Sequence, residues 1–302
     1  MSDERSVLSI QSHVTHGYVG NKAATFPLQL HGFDVDAINT VSLSNHSGYP
    51  VIKGHRMDLA EFTSLMDGLR ANDFMGDYAY VLTGYINNSD IICHLAETVA
   101  EIRKKRHQQG KKDVVFFCDP VMGDDGRLYC KEEVISAYRE LLAHADIATP
   151  NYFEASVLSS VEVTDLVSAM RAAEWFHTQG TPTVVIKSFA MQEDPAHLRF
   201  LLSCHDQKTK TTKRYTGVVP YHEGRYTGTG DVFAASLLAF AHSDPIELAV
   251  GKAMGVLQDL IRATVESGGS GKATLNSREL RVTKSPDRLL NPSSVVEVAL
   301  LP

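Results

Sequence analysis

In Thr227-Gly228-Thr229-Gly230-Asp231-Val232-Phe233-Ala234-Ala235, two glycines stand just before an apolar stretch, and an acid falls in the expected first helical turn. Glycines let a backbone turn sharply and come close to an anion, while the unpaired N–H groups of a helix start favour negative charge. Gly228, Thr229 and Gly230 therefore read as an anion site, with the Asp231 carboxylate, ionised near neutral pH, as a base for an attacking hydroxyl. The same residues equally suit a plain turn followed by a helix cap. Other motifs must decide between the two.

Two acidic motifs do so. Cys118-Asp119-Pro120-Val121-Met122-Gly123-Asp124-Asp125-Gly126 and Thr149-Pro150-Asn151-Tyr152-Phe153-Glu154 each follow a strand-like run. Functional groups of open α/β sheets gather at the carboxyl ends of strands. Carboxylates placed there can hold Mg²⁺ against the phosphates of a nucleotide, directly or through water. Taken singly, Asp124-Asp125-Gly126 is also a good turn and Pro150-Asn151 a good helix start; three such motifs in one order favour phosphoryl transfer. The segment Ile10–Asn21 lacks G-x-G-x-x-G, and no third ligand with typical spacing follows His13 and His16. Neither a G-x-x-x-x-G-K-[ST] loop, a G-x-S-x-G elbow nor the protein-kinase signature set is present, so those enzyme classes lack support.

The elements that must position these residues alternate. Short β-branched or apolar runs at Val7–Ile10, Val35–Thr40, Tyr78–Leu82, Val114–Cys118, Asp146–Thr149 and Thr183–Ile186 read as strands. Stripes spaced by three or four, Leu59-Phe62-Leu65-Leu69, Ile91-Leu95-Val99-Ile102 and Leu166-Met170-Ala173-Phe176, read as core-facing helices between them. This is the pattern of an α/β fold with a mostly parallel central sheet. Leu198–Cys204 and Arg214–Val219 flank a polar stretch and predict an antiparallel hairpin on that sheet. Asp58 with Glu61 predicts a capping box, and Asp244-Pro245-Ile246-Glu247 predicts a cap with proline at the first helical position. The stretch Ser267–Gly271 predicts a loop ending the last long helix.

A chain of 302 residues, 43% hydrophobic and 22% charged, can bury a sizeable core. With no linker dividing it, residues 1–302 read as one domain. The net charge of −7 gives no reason for a nucleic-acid footprint, and Arg103-Lys104-Lys105-Arg106 reads as a solvated helix end. Four widely spaced cysteines without C-x-x-C indicate neither a zinc site nor a disulfide framework, which fits a reducing compartment. The run after Met1–Arg5 is strand-like rather than a signal peptide, and no apolar stretch approaches the ~20 residues of a membrane span. The expectation is a soluble cytoplasmic protein with no nucleic-acid or membrane partner.

Longer motifs sharpen this. Ser9-Ile10-Gln11-Ser12-His13-Val14, Gly17–Gln29, Ser44-Asn45-His46-Ser47-Gly48-Tyr49 and Leu82-Thr83-Gly84-Tyr85 precede the acidic motifs and Gly228-Thr229-Gly230-Asp231 in an order that closely resembles the pyridoxal kinase family, from Val7 to Phe240. The resemblance implies a ribokinase-like three-layer α/β/α sandwich, usually a homodimer. Such a protein uses ATP with a divalent cation, commonly also K⁺ or Na⁺, to phosphorylate the 5′-hydroxymethyl group of a B6 vitamer. Carried over by position, Ser12 and Ser47 bind the polar edge of the pyridine ring, and Tyr85 and Tyr129 line or cover the pocket. Asp119, Thr149, Asn151, Glu154, Lys187 and Ser188 serve ATP, and Asp119, Asp124 and Glu154 serve the divalent ion. Gly228, Thr229 and Gly230 form the anion hole, Asp231 is the base, and Gly123 to Lys131 resembles the family's mobile flap. Two departures stand out: Ser47 replaces a frequent threonine, and Lys187-Ser188 replaces a frequent Thr-Ser. A lysine there is expected to meet ATP phosphate and supply charge that a monovalent cation provides elsewhere; the plainer alternative is a solvated strand-end lysine. A hydroxymethylpyrimidine kinase, a sugar or nucleoside kinase, and a non-catalytic B6-binding protein are the rival readings.

Overall fold

The computed structural model describes residues 4–191, 193–268 and 274–302. Gly269–Gly271 of the glycine-rich stretch, like Met1–Asp3, lie outside the described residues. The elements run β1 (Ser6–Val14), α1 (Asn21–Leu30), β2 (Asp34–Leu43), β3 (Gly54–Arg56), α2 (Leu59–Ala71), β4 (Tyr80–Thr83), α3 (Ser89–Gln108) and β5 (Val115–Cys118). They continue with β6 (Gly123–Asp124), β7 (Arg127–Leu128), α4 (Glu132–Leu141), β8 (Ile147–Ala148), α5 (Tyr152–Ser159), α6 (Leu166–Gln179), β9 (Thr183–Ala190) and β10 (His197–Asp206). The chain closes with β11 (Thr211–Pro220), α7 (Thr229–Ala241), α8 (Ile246–Ser267), α9 (Pro286–Leu290) and β12 (Ala299–Leu300).

Ten strands form one sheet in the order β12-β11-β10-β9-β8-β5-β4-β1-β2-β3. From β9 to β2 every pairing is parallel, while β3 at one edge and β10 to β12 at the other run antiparallel. Side chains alternate across a strand, and here alternate residues feed two separate cores. Leu8, Ile10, Val81, Phe116, Val184 and Ile186 pack with α2 to α6, whereas Val7, Leu82, Phe117 and Val185 pack with α1, α7, α8 and α9. Both faces are therefore covered, giving the expected three layers.

The expected elements form, with boundaries moved by a few residues. Three readings need correction. Leu59, Phe62 and Leu69 of α2 face the core as expected, but Leu65 is 48% exposed and Met66 takes its place. The basic run is not simply solvated: Arg106 is 1% exposed, donating to the Lys112 carbonyl at 2.7 Å and pairing with Glu4 at 3.0 Å. Proline 245 is the residue before α8 rather than its first, and Asp244, instead of capping, accepts from Lys252 at 2.7 Å. Among the described residues, no helix is long and apolar enough to cross a membrane.

Asp58 and Glu61 form a reciprocal capping box, each side chain bonded to the other's backbone N–H at 2.9 and 3.0 Å. Asp58→Ala is expected to lower stability by about 1 kcal/mol in urea denaturation. Asp58→Asn should restore most of it, and equal losses in both variants would separate the effect from capping.

Candidate active site

Adjacent parallel strands must end side by side, and three of them place the polar residues that follow. Asp119 comes directly after β5, Thr149 directly after β8, and Lys187 lies within β9 beside Asn151 in a parallel bridge. The Lys187 ammonium sits 2.7 Å from Asp119 Oδ1, to which the Thr149 hydroxyl also donates at 3.0 Å. Lys187 is only 11% exposed, so it is not a solvated strand-end lysine. Burial pulls its ammonium down, but Asp119, Glu154 and Asp231 together hold it above the usual lysine range.

The glycine motif forms across this pair. Gly228 precedes α7 with φ 91, a left-handed turn, and a Cβ there would lie 2.0 Å from the Tyr18 carbonyl oxygen. Only glycine fits so close a backbone approach. A Cβ on Gly230 would lie 3.2 Å from Lys187 Nζ and 3.4 Å from Asp119 Oδ2, so the helix start faces the ion pair. Asp231, in the first turn of α7, accepts from the Gly20 backbone N–H. Burial pushes its carboxyl up to about 6, and Asp119 adds to this; the Gly20 bond and Lys187 pull the other way. It remains mostly ionised at neutral pH, as the helix start predicted, but far less acidic than an exposed aspartate.

Asn151 caps α5 in a box with Glu154, and its amide donates to the Gly123 carbonyl at 2.8 Å. Both Glu154 oxygens accept backbone N–H bonds, from Asn151 at 2.8 Å and Met122 at 3.1 Å. Burial raises this carboxyl, Lys187 and the two N–H groups opposing it. Glu154 thus spends one lone pair of each oxygen on the protein's own backbone. Asp119 Oδ2, by contrast, is buried with no hydrogen-bond partner among the described residues and faces Gly230. Such an acceptor fits a divalent cation, which Mg²⁺ sites typically complete with phosphate and water oxygens. Asp124 sits on β6, its carboxyl raised first by burial and next by Asp125.

Strands β6 and β7 make a small hairpin whose turn residues, Asp125 and Gly126, both have positive φ, 50 and 73. Asp-Gly suits such a two-residue turn. Beyond it the Tyr129 hydroxyl accepts from Arg225 at 2.6 Å. Sequence reasoning passed over Arg225, although Glu223-Gly224-Arg225-Tyr226 lies directly upstream of the glycine motif.

On the opposite side, Ser12 is buried in β1 and Ser47 is exposed in the loop after β2. Backbone bonds from Thr15 to Leu43 and His16 to Ser44, at 2.8 and 2.9 Å, join the two segments. Tyr85 is half-buried, its carbonyl accepting from Thr40 at 2.9 Å. Ser188 has an unusual φ of 32, and Thr229 donates weakly to the Tyr226 carbonyl at 3.4 Å. Beneath Ser12 lies a network that the sequence reading missed. Gln11 donates to Ser9 at 2.9 Å, Ser9 to Asn21 at 2.7 Å, and Asn21 to Asn39 at 2.9 Å. Its signal is the polar pair Ser9 and Gln11 among the apolar residues of a strand buried from Val7 to Ser12.

A family model described as phosphomethylpyrimidine kinase matches residues 71–276. The sheep (Ovis aries) pyridoxal kinase is 36% identical, covering all of both chains. A Leishmania donovani pyridoxal kinase structure in complex with ADP and pyridoxine superposes with a TM-score of 0.96 at 81% identity, covering 99% of this chain and all of that one. The Trypanosoma brucei pyridoxal kinase structure follows at a TM-score of 0.90 and 59% identity, covering 100% of both chains.

Because Lys187 holds the Asp231 carboxyl down, Lys187→Met should move the midpoint of that carboxyl upward from about 6, read by carboxyl NMR titration. Any step needing Asp231 as a base then fades at a higher pH. An unmoved or lowered midpoint would show that the two groups are not coupled.

Proposed function

The chain belongs to the pyridoxal kinase family of the ribokinase-like superfamily, and on that premise we propose how its residues move the γ-phosphoryl group of ATP to the 5′-hydroxymethyl oxygen of a B6 vitamer. The enzyme phosphorylates pyridoxal-type vitamers, yielding pyridoxal 5′-phosphate from pyridoxal. The observation that carries the mechanism is a carboxylate, Asp231, standing in the first turn of a helix whose glycine start faces the Lys187–Asp119 pair.

In this reading the vitamer ring lies against Ser12 and Ser47, with Tyr85 and Tyr129 around it, and the Gly123–Lys131 flap excludes water. The N–H groups of Gly228, Thr229 and Gly230 receive the γ-phosphate, and Thr149, Asn151, Lys187 and Ser188 attend the nucleotide. Asp119, with Asp124 and Glu154, would hold Mg²⁺, which when bound would supply charge neutralisation at the phosphates. Asp231 takes the hydroxymethyl proton as the oxygen attacks phosphorus in line. One O–P bond forms, the bond to the β-phosphate oxygen breaks, and ADP leaves with its electron pair. Positioning and electrostatics supply most of the acceleration. The same reading takes the protein as a cytoplasmic homodimer of one kinase domain over residues 1–302.

The family-model match favours one rival, a kinase of hydroxymethylpyrimidine, itself a flat nitrogen heterocycle with a primary alcohol. That match starts at residue 71, leaving out both Ser12 and Ser47. The full-length similarity to pyridoxal kinases includes them.

Incubation with Mg-ATP and pyridoxal, followed by absorbance of pyridoxal 5′-phosphate, tests the assignment, with hydroxymethylpyrimidine and ribose as parallel acceptors. Asp231→Asn should lower kcat ~10²–10⁴-fold; near-wild-type turnover would remove Asp231 from the role of base. With Lys187 supplying the cation, turnover should persist in tetramethylammonium buffer free of K⁺ and Na⁺. A steep K⁺ requirement, together with an unchanged KM for ATP in Lys187→Met, would remove Lys187 from that role.

A further inference from the structure

The segment after α8 brings a buried acid to the loop that carries Ser47. Leu280 and Val282 are fully buried and fix this segment in the core on the α7–α8 side of the sheet. Glu279, beside them, is 5% exposed. Its Oε1 accepts from His46 Nε2 at 2.9 Å and from the Tyr49 hydroxyl at 3.0 Å. His46 Nδ1 in turn accepts from the Gly48 backbone N–H at 3.0 Å. One tautomer satisfies both bonds, with the proton on Nε2 and the lone pair on Nδ1. A further bond from Tyr49 N to the His46 carbonyl, at 3.3 Å, closes residues 46 to 49 into a turn. Ser47 lies inside that turn.

The same carboxyl reaches the loop between β1 and α1. Gly17, at φ 87, passes so close that a Cβ would lie 2.4 Å from Glu279 Oε2, and against the upward push of burial His46, Tyr49 and the nearby Tyr18 backbone N–H hold the carboxyl below its usual range. Tyr18's own carbonyl abuts Gly228, and two residues beyond it Gly20 holds Asp231. One side chain thus touches both loops that frame the acceptor side, without belonging to either.

We propose that Glu279 is a positioning residue for the acceptor: through His46 and Tyr49 it sets the Ser47 loop, and through Gly17 and Tyr18 it sets the loop against which Asp231 is held. This rests on the pyridoxal kinase reading, in which Ser47 meets the vitamer ring. Glu279 itself touches no reacting atom. An acid suits this place because both side chains bonded to it, the His46 Nε2–H and the Tyr49 hydroxyl, donate to it. Glutamine of the same size can keep one oxygen for His46 and Tyr49, but it loses the negative charge both donors meet and turns an N–H₂ group toward Gly17 and Tyr18.

The test is steady-state kinetics of Glu279→Gln and Tyr49→Phe with each substrate varied separately. Wild-type turnover of pyridoxal is established first; if another acceptor is the one turned over, its KM is the quantity compared. Glu279→Gln should raise the acceptor KM about tenfold or more, leaving the KM for ATP within about twofold. Tyr49→Phe, which removes one donor and keeps the ring, should shift the acceptor KM in the same direction by less, and Glu279→Asp should recover part of the loss. An unchanged acceptor KM, or equal rises for both substrates, would overturn the proposal. Should Glu279→Gln fail to fold, Tyr49→Phe decides by the same criterion.

Discussion

The site hangs on the 2.7 Å ion pair between Lys187 and Asp119, closed at the carboxyl ends of neighbouring strands in a nearly dry environment. Removing either partner from such a pair leaves an uncompensated buried charge, at a typical cost of about 3–5 kcal/mol. The fold keeps both because β5, β8 and β9 run parallel and adjacent, so the residues leaving them meet without long loops. Thr149 completes Asp119 Oδ1, while Oδ2 has no partner among the described residues. The pair also governs its surroundings: Lys187 restrains the carboxyls of Asp231 and Glu154, and Asp119 pushes both up.

Much of this was legible in the sequence, for particular reasons. The glycine motif announces itself because a left-handed turn against another backbone admits no other residue, as at Gly228. Asn151 and Glu154 read as a helix start because the capping box is local in sequence. The core-facing helices followed from stripes spaced by three or four, with Leu65 taken for Met66 in α2 because both are apolar.

What stayed hidden depends on contacts remote along the chain. Arg225 and Tyr129 are 96 positions apart, so neither residue type nor spacing ties the basic side chain to the stretch after the β6–β7 hairpin. Arg106 looked like one of four surface cations until Glu4 and the Lys112 carbonyl buried it. The Ser9–Gln11–Asn21–Asn39 network needs the parallel pairing of β1 with β2 before its members can meet. Lys187 could be placed at a strand end from sequence; that its charge is matched by Asp119 rather than by water required the sheet order.

The bond between Tyr49 and Glu279 joins residues 230 positions apart. Synthesis runs from the N-terminus, so the Ser47 loop leaves the ribosome long before the carboxylate that fastens it. Until that late stretch emerges and Leu280 and Val282 dock, His46 and Tyr49 lack their common acceptor, and the turn around Ser47 is among the last parts of the nascent chain to take its final shape. A ribosome stalled shortly before residue 279 would carry a nearly whole sheet with that turn still unfastened.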